Sequence, residues 1–174
     1  MKFRDIKPYH GWGNYQVDVP LRYVPKKIKD FTDEYGLDMN PDFQRAHVWT
    51  KDQQTRYMEF LLRHGRTGRD LLFNSTSWMK NFKRDMLLVD GKQRIEAICQ
   101  FFEDNVPVFD GHVFSDYEDK VDMMISMRFY VNTLTTRADI LQWYIDLNAG
   151  GTVHGEDEIY KVRELLKEEL KKKC

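Results

Sequence analysis

Met86-Leu87-Leu88-Val89-Asp90-Gly91-Lys92-Gln93-Arg94-Ile95 is the stretch that decides the fold. An apolar run of strand length stops at Asp-Gly, and Ile95, Ile98, Cys99 and Phe102 then recur at helical spacing. The reading is strand, turn, helix. It sets a carboxylate, a glycine and two cations at a helix N-terminus, where free N–H groups and the positive end of the dipole attract anions. Gly91 permits a positive φ or a close backbone approach. Arg94 offers a planar fork for phosphate oxygens and Lys92 a point charge. Asp90 suits Mg²⁺, or a proton from an attacking hydroxyl or water. The plainer alternative is an Asp-Gly turn with Asp90 as N-cap and exposed cations, and on pattern alone it has the edge.

The rest of the chain bounds the class. One domain over residues 1–174 is expected, large enough for a real core. The net charge of −1 argues against a globally basic nucleic-acid binder, although it leaves local basic patches open. Four tryptophans spread along the chain argue for a folded globule. Cys99 and Cys174 make neither a disulfide framework nor a zinc spacing, which fits a reducing, cytoplasmic setting. No secretory leader opens the sequence, and no run is long and apolar enough to span a bilayer, so no membrane partner is expected.

Residues 1–23 read as loop-rich, with short extended pieces. Pro25 opens a helix with Ile28, Phe31 and Tyr35 on one face and Gly36 at its end. Leu37 to Met39 is extended and leads into the Asn40-Pro41 turn. Thr50 and Gln53 have capping-box spacing ahead of a helix that buries Tyr57, Met58, Leu61 and Leu62 and ends near Gly65. Leu71–Phe73 and Met86–Val89 read as inner strands, joined through Ser75–Lys83 in a hairpin-like connection. Val106–Phe109 and His112–Phe114 read as a small hairpin around Asp110-Gly111. Met127–Val131 is a further strand, and Thr136 caps a helix carrying Ile140, Leu141, Tyr144 and Ile145. A C-terminal helix over 155–173 follows and trails into lysines, which read chiefly as a favourable helix end. Short strands interleaved with helices make an α+β domain with a small mixed sheet.

Two further segments invite a chemical reading. In Pro41-Asp42-Phe43-Gln44-Arg45-Ala46-His47-Val48-Trp49, polar side chains stand between aromatics in a loop, which suits a base or ribose pocket. The plainer reading, a loop pinned by two aromatics, is favoured for this segment alone. In Asn148-Ala149-Gly150-Gly151-Thr152-Val153-His154, two adjacent glycines allow an anion-binding nest, with side-chain donors from Asn148, Thr152 and His154. A helix stop followed by a new N-cap at Thr152 or nearby is the favoured reading for this segment alone. Cys99 lies on an apolar helix face and reads as core, not as a nucleophile. No Gly-x-x-x-x-Gly-Lys-Ser/Thr loop occurs, which argues against a P-loop site.

Taken in order, Pro-x-Phe-Gln-Arg…Trp, strand-Asp-Gly-Lys-Gln-Arg-helix and Tyr-Ile-x-Leu-Asn-x-Gly-Gly-Thr-x-His resemble the N-terminal domain of GmrSD-type modification-dependent restriction enzymes, in the ParB/sulfiredoxin-like superfamily. The resemblance runs from about Val24 to Leu166. It implies a ParB-like fold and a Mg²⁺-dependent activity that binds and hydrolyses a nucleoside triphosphate, on or near DNA, in a restriction, defence or phage counter-defence setting. By the same resemblance Asp90, Gln93 and Arg94 are the catalytic candidates, and Asp90 is the metal ligand. Gln44, Arg45, Gly91, Lys92, Asn148, Gly151, Thr152 and His154 are the phosphate- or nucleotide-binding candidates. The NTP is the implied partner, with DNA and a nuclease subunit as further ones. GmrSD-type enzymes carry an additional C-terminal nuclease domain with a His-centred metal site. No counterpart follows in these 174 residues, so a stand-alone copy is expected. The alternatives are a non-catalytic DNA-binding or interaction module, or a nuclease or kinase activity as in superfamily relatives.

Overall fold

Leu71-Leu72-Phe73 and Leu88-Val89 are apolar without alternation because the sheet they form is buried on both faces. In the computed structural model, which describes residues 2–6, 13–44, 49–80, 83–148 and 156–172, that sheet has four strands. They are β1 (Tyr15–Pro20), β2 (Asp70–Asn74), β3 (Leu87–Asp90) and β4 (Ser126–Asn132), in the order β1-β4-β2-β3. β4 pairs antiparallel with β1 and parallel with β2, while β2 pairs antiparallel with β3. The α+β architecture with a mixed sheet is therefore as expected, and so is the hairpin-like route between β2 and β3.

Three helices cover one face: α1 (Val24–Tyr35), α2 (Lys51–Leu62) and α3 (Lys92–Phe102). Leu71, Phe73, Leu88, Met127, Phe129 and Val131 point into this layer, where Phe31 meets Phe73 and Phe129 edge-on. Two helices, α4 (Arg137–Asn148) and α5 (Glu156–Lys171), cover the other face, over Leu72 and Val89. Successive strand residues thus feed opposite cores.

The helix ends follow the sequence closely. Gly36 closes α1 at φ 63°, donating its N–H to Thr32. The Thr50 hydroxyl accepts the Gln53 N–H at 3.3 Å, and the Gln53 side chain accepts the Thr50 N–H at 2.9 Å. At the start of α4, Asp139 N–H reaches the Thr136 hydroxyl at 3.1 Å. The final helix of the described residues is Glu156–Lys171, inside the expected 155–173.

Several expectations need correction. Residues 1–23 contain a six-residue strand, β1, and a 3-10 turn at Leu21–Tyr23. Gln16 and Asp18 on β1 are exposed, which weakens the apolar pattern of an edge strand. β3 is not an inner strand but the opposite edge. It reads as inner because both its faces are covered, and because Asp38 bonds alongside it: Asp38 N–H to Met86 O and Leu88 N–H to Asp38 O, both 2.9 Å. The buried face of α3 is Ile95, Ala97, Ile98 and Phe101, with Cys99 and Phe102 half-buried. The expected hairpin at 106–114 reduces to one bridge, Val108–His112, followed by a 3-10 turn at Phe114–Asp116.

The β2–β3 connection is held by one carboxylate. Asp85 accepts the hydroxyls of Ser75 at 2.7 Å and Ser77 at 3.1 Å, and that of Thr76. Burial pushes the Asp85 carboxyl up, but the hydrogen bonds from Thr76, Ser75 and Ser77 outweigh it and leave the group below its ordinary 3.8. A lowered native value stabilises the fold fully above the unfolded value. That contribution is lost as pH falls below 3.8 through the native one. Asp85→Asn is expected to cost about 1–2 kcal/mol at neutral pH, and the difference from wild type should shrink in thermal melts between pH 5 and pH 3. A gap that stays constant over that range would show that the carboxylate charge is not what holds the loop.

Candidate functional site

At the C-terminal end of β3 the chain turns through Gly91 into α3. Gly91 is buried and adopts φ 111°, where side chains are rarely accommodated. A Cβ there would lie 2.5 Å from Leu71 Cδ2 and 3.4 Å from Leu71 Cα. Gly91, not Asp90, is the N-cap residue, and no side chain caps α3. The alternative of Asp90 as N-cap is thereby overturned, and among the described residues the first-turn amides of this 11-residue helix have no side-chain cap. Gly91→Ala is expected to lower stability by about 2 kcal/mol, through the strained backbone and the overlap with Leu71. A melt unchanged from wild type would show that β2 and α3 can separate at no cost.

This turn opens into a pocket of about 160 Å³. Its walls are the turn itself (Val89 through Arg94), the loop residues Gln44 and Trp49, and Tyr144, Leu147 and Asn148 at the end of α4. Of the expected site residues, Gln44, Asp90, Gly91, Lys92, Gln93, Arg94 and Asn148 therefore meet in one place. Arg45, Gly150, Gly151, Thr152 and His154, with His47, lie outside the described residues.

Glutamine side chains tie both Gln44 and Trp49 to the β3–α3 segment. Gln44 donates its side-chain N–H to the Leu88 carbonyl at 2.5 Å, and buried Gln93 accepts the Trp49 N–H at 2.6 Å. Each bond joins residues 44 positions apart. Gln44 and Gln93, expected as ligand-handling groups, thus also have structural partners. Phe43 is buried against Tyr144, and half-buried Trp49 packs edge-on against Tyr57. Asn148 donates to the Tyr144 carbonyl at 2.7 Å.

The charged side chains of the site all have protein partners. Arg94 bonds to Asp90 one helical turn away, and Lys92 bonds to the Asn40 side chain with Glu96 at 4.0 Å. Arg94 Nε is buried and has no partner among the described residues. Behind the site, burial pushes the Tyr57 phenol well above its ordinary value, with Arg94 and Arg69 acting against that shift. Burial likewise raises the Cys99 thiol to about 11, helped by Glu103 and Glu96, which agrees with a packing role.

The residues present bear on the expected Mg²⁺. No group of three or more His, Cys, Asp or Glu among the described residues is arranged to hold a metal. Asp90 is the one carboxylate lining the pocket among the described residues. One carboxylate beside Lys92 and Arg94 does not make a protein-only cage, and would fit Mg²⁺ only where the ion keeps ligands from outside the protein, as this ion commonly does.

Sequence reasoning missed Val89, Tyr144, Leu147 and Asn40 as contributors. Tyr144 and Asn148 are four apart on α4, so the helical period alone sets them on one face. Nothing in the sequence around Asn40 signals its contact with Lys92.

Helices on both faces of a four-stranded mixed sheet, with a strand–Asp-Gly–helix turn at one end, define a ParB-like α+β domain. A model of the GmrSD restriction endonuclease N-terminal domain matches residues 28–126, and the chain belongs to that family. The match covers the Phe43-Gln44-Arg45 and Asp90–Arg94 motifs but stops short of Asn148–His154. Neither the curated proteins nor the solved structures gave a match. No helix among the described residues is long and apolar enough to cross a membrane.

Proposed function

We propose that this domain binds a nucleoside triphosphate at the β3–α3 turn and hydrolyses it, in a restriction or defence system. The observation that carries the reading is the meeting of three distant segments at an uncapped helix N-terminus, with Asp90, Lys92 and Arg94 in one pocket. Family membership supports the restriction setting. The pocket volume suits a phosphate chain better than a whole nucleotide. The phosphates therefore lie against the first turn of α3, and the base rests over the rim at Trp49.

In this reading Arg94 turns from Asp90 to the phosphate oxygens and stabilises the charge that develops on them. Lys92 adds a point charge, and the Gly91 turn admits close backbone approach. Freed of Arg94, Asp90 holds the cation that comes with the nucleotide or accepts a proton from the attacking water. Such a cation, when bound, neutralises charge on the phosphates. Gln93 and Gln44, through their bonds to Trp49 and Leu88, hold these pocket walls in place.

The test is phosphate release from each of the four NTPs, with Mg²⁺ and with EDTA, beside nucleotide-induced shifts in melting temperature. Turnover and a melting shift with at least one NTP are expected. Release at the buffer rate with all four, and no shift, would sink the proposal.

A further inference from the structure

A second cavity, of about 210 Å³, lies at the far end of α3 and shares no lining residue with the first. Its floor is buried Phe101, about 14 Å along the helix axis from Lys92. Leu62, the last residue of α2, forms one wall, and Phe109, Phe114, Tyr117 and Val121 form the others. These walls are held apart. Phe114 meets Phe102 at 4.8 Å and Phe101 at 5.6 Å between ring centroids, both edge-on, so its ring is not free to fall inward. Phe109 and Asp110 take φ 40° and 62°, in the left-handed region, and the Glu59 carboxylate accepts the Phe109 N–H at 2.8 Å. Residues other than glycine keep such a backbone only where the surroundings fix it. An apolar hollow left unfilled costs stability. One that is held in shape at the surface is best explained by an occupant that fills it.

The charge around the cavity selects that occupant. Asp119 is the one charged residue in the lining among the described residues. From Glu103 to Asp122 the chain carries seven carboxylates against one lysine and no arginine, in a protein whose net charge is only −1. Asp116 and Asp122 face histidines at 3.8 and 3.6 Å. Asp110, Glu118 and Asp119 are exposed and pair with no cation among the described residues. Both α2 and α3 end at the cavity, which adds the negative ends of two dipoles, and neither last turn carries a cation. Arg63, just past α2, lies over the Phe109 ring at 4.9 Å. The volume falls below that of pockets for drug-sized molecules and suits a single bulky side chain. We propose that this cavity docks a partner protein through a short basic segment, in which one Phe, Trp or Leu side chain enters the hollow and flanking Lys or Arg residues face Asp119 and its acidic neighbours. The buried anchor supplies affinity, and the acidic rim supplies orientation and speed of encounter.

The inference goes beyond the nucleotide reading and does not need it. Its test is selection of displayed random short peptides on the full chain, followed by fluorescence anisotropy of labelled synthetic copies of the enriched sequences. Asp119→Lys reverses the rim charge at an exposed position, and Val121→Trp fills the hollow. Both folds are checked by circular dichroism. Enriched peptides are expected to place a bulky apolar residue beside Lys or Arg and to bind wild type more weakly as salt rises. They are expected to lose at least roughly tenfold in affinity on Asp119→Lys, and as much again on Val121→Trp. Alanine in place of the peptide's own apolar residue is expected to cost as much, which keeps the test informative should Val121→Trp not fold. Enrichment of no peptide, or of acidic or wholly polar ones, would overturn the inference. So would peptides that bind Asp119→Lys as tightly as wild type. Sedimentation that shows a wild-type dimer dissociated by Val121→Trp would overturn it too, because the occupant would then be a second copy of the chain.

Discussion

Arg94→Ala is expected to slow NTP turnover by roughly 10²- to 10³-fold while the fold survives. The size follows from removing one preorganised donor to a developing oxyanion, about 2.7–4 kcal/mol of transition-state stabilisation. The guanidinium emerges from the first turn of α3 and pairs with Asp90, a carboxylate that is 46% exposed. A pair this open contributes about 1 kcal/mol or less to stability, so the melting temperature should move little. Arg94→Lys separates charge from shape. It keeps a cation but loses the fork, and should fall between wild type and the alanine variant. The check is steady-state phosphate release at saturating nucleotide, with affinity measured separately. A loss in KM alone would mean that Arg94 grips ground state and transition state equally. Full turnover in Arg94→Ala would remove this residue from the chemistry.

How much of this was legible beforehand depends on how local the signal is. Thr50 with Gln53, Gly36, Thr136 and the Asp90-Gly91 turn all act within a few residues of themselves. Each left its mark in the sequence, and each is found as expected apart from the capping role considered for Asp90. The side-chain ties that build the pocket are not local. Gln44 bonds to Leu88 and Gln93 to Trp49, and neither glutamine has a neighbour that announces its partner. β1 went unrecognised as a strand because an edge position leaves Gln16 and Asp18 in solvent, which breaks the apolar run that revealed β2. β3 erred in the opposite direction. Its apolar run reports two covered faces, which a strand has at the edge of a sandwiched sheet as well as in its middle. The Arg128–Asp70 ion pair was invisible for a related reason: its partners stand far apart in sequence and come together only through the parallel β2–β4 pairing.

Asp90→Asn is expected to abolish turnover, by at least roughly 100-fold, and yet to tighten nucleotide binding when no divalent cation is present. The two effects have one source. In the structure Asp90 neutralises Arg94, so an incoming phosphate must break that pair and then sit beside the released carboxylate. Asparagine keeps the side-chain volume but removes the charge, which frees Arg94 and ends the repulsion. Two unit charges 8 Å apart interact by about 2 kcal/mol at an effective dielectric near 20. Allowing for screening at a half-exposed position, a gain of roughly tenfold in metal-free affinity is reasonable. Because Gly91 is the N-cap residue and Asp90 does not cap α3, the substitution should leave the helix start intact. With Mg²⁺ the order should reverse, since the wild-type carboxylate would help to hold the cation and asparagine would not. Nucleotide and Mg²⁺ should therefore reinforce each other strongly in wild type and weakly in the variant, a difference that binding titrations read directly in both directions. If the variant binds metal-free nucleotide no better than wild type, Asp90 does not hold Arg94 in check, and the phosphates must bind somewhere this ion pair does not reach.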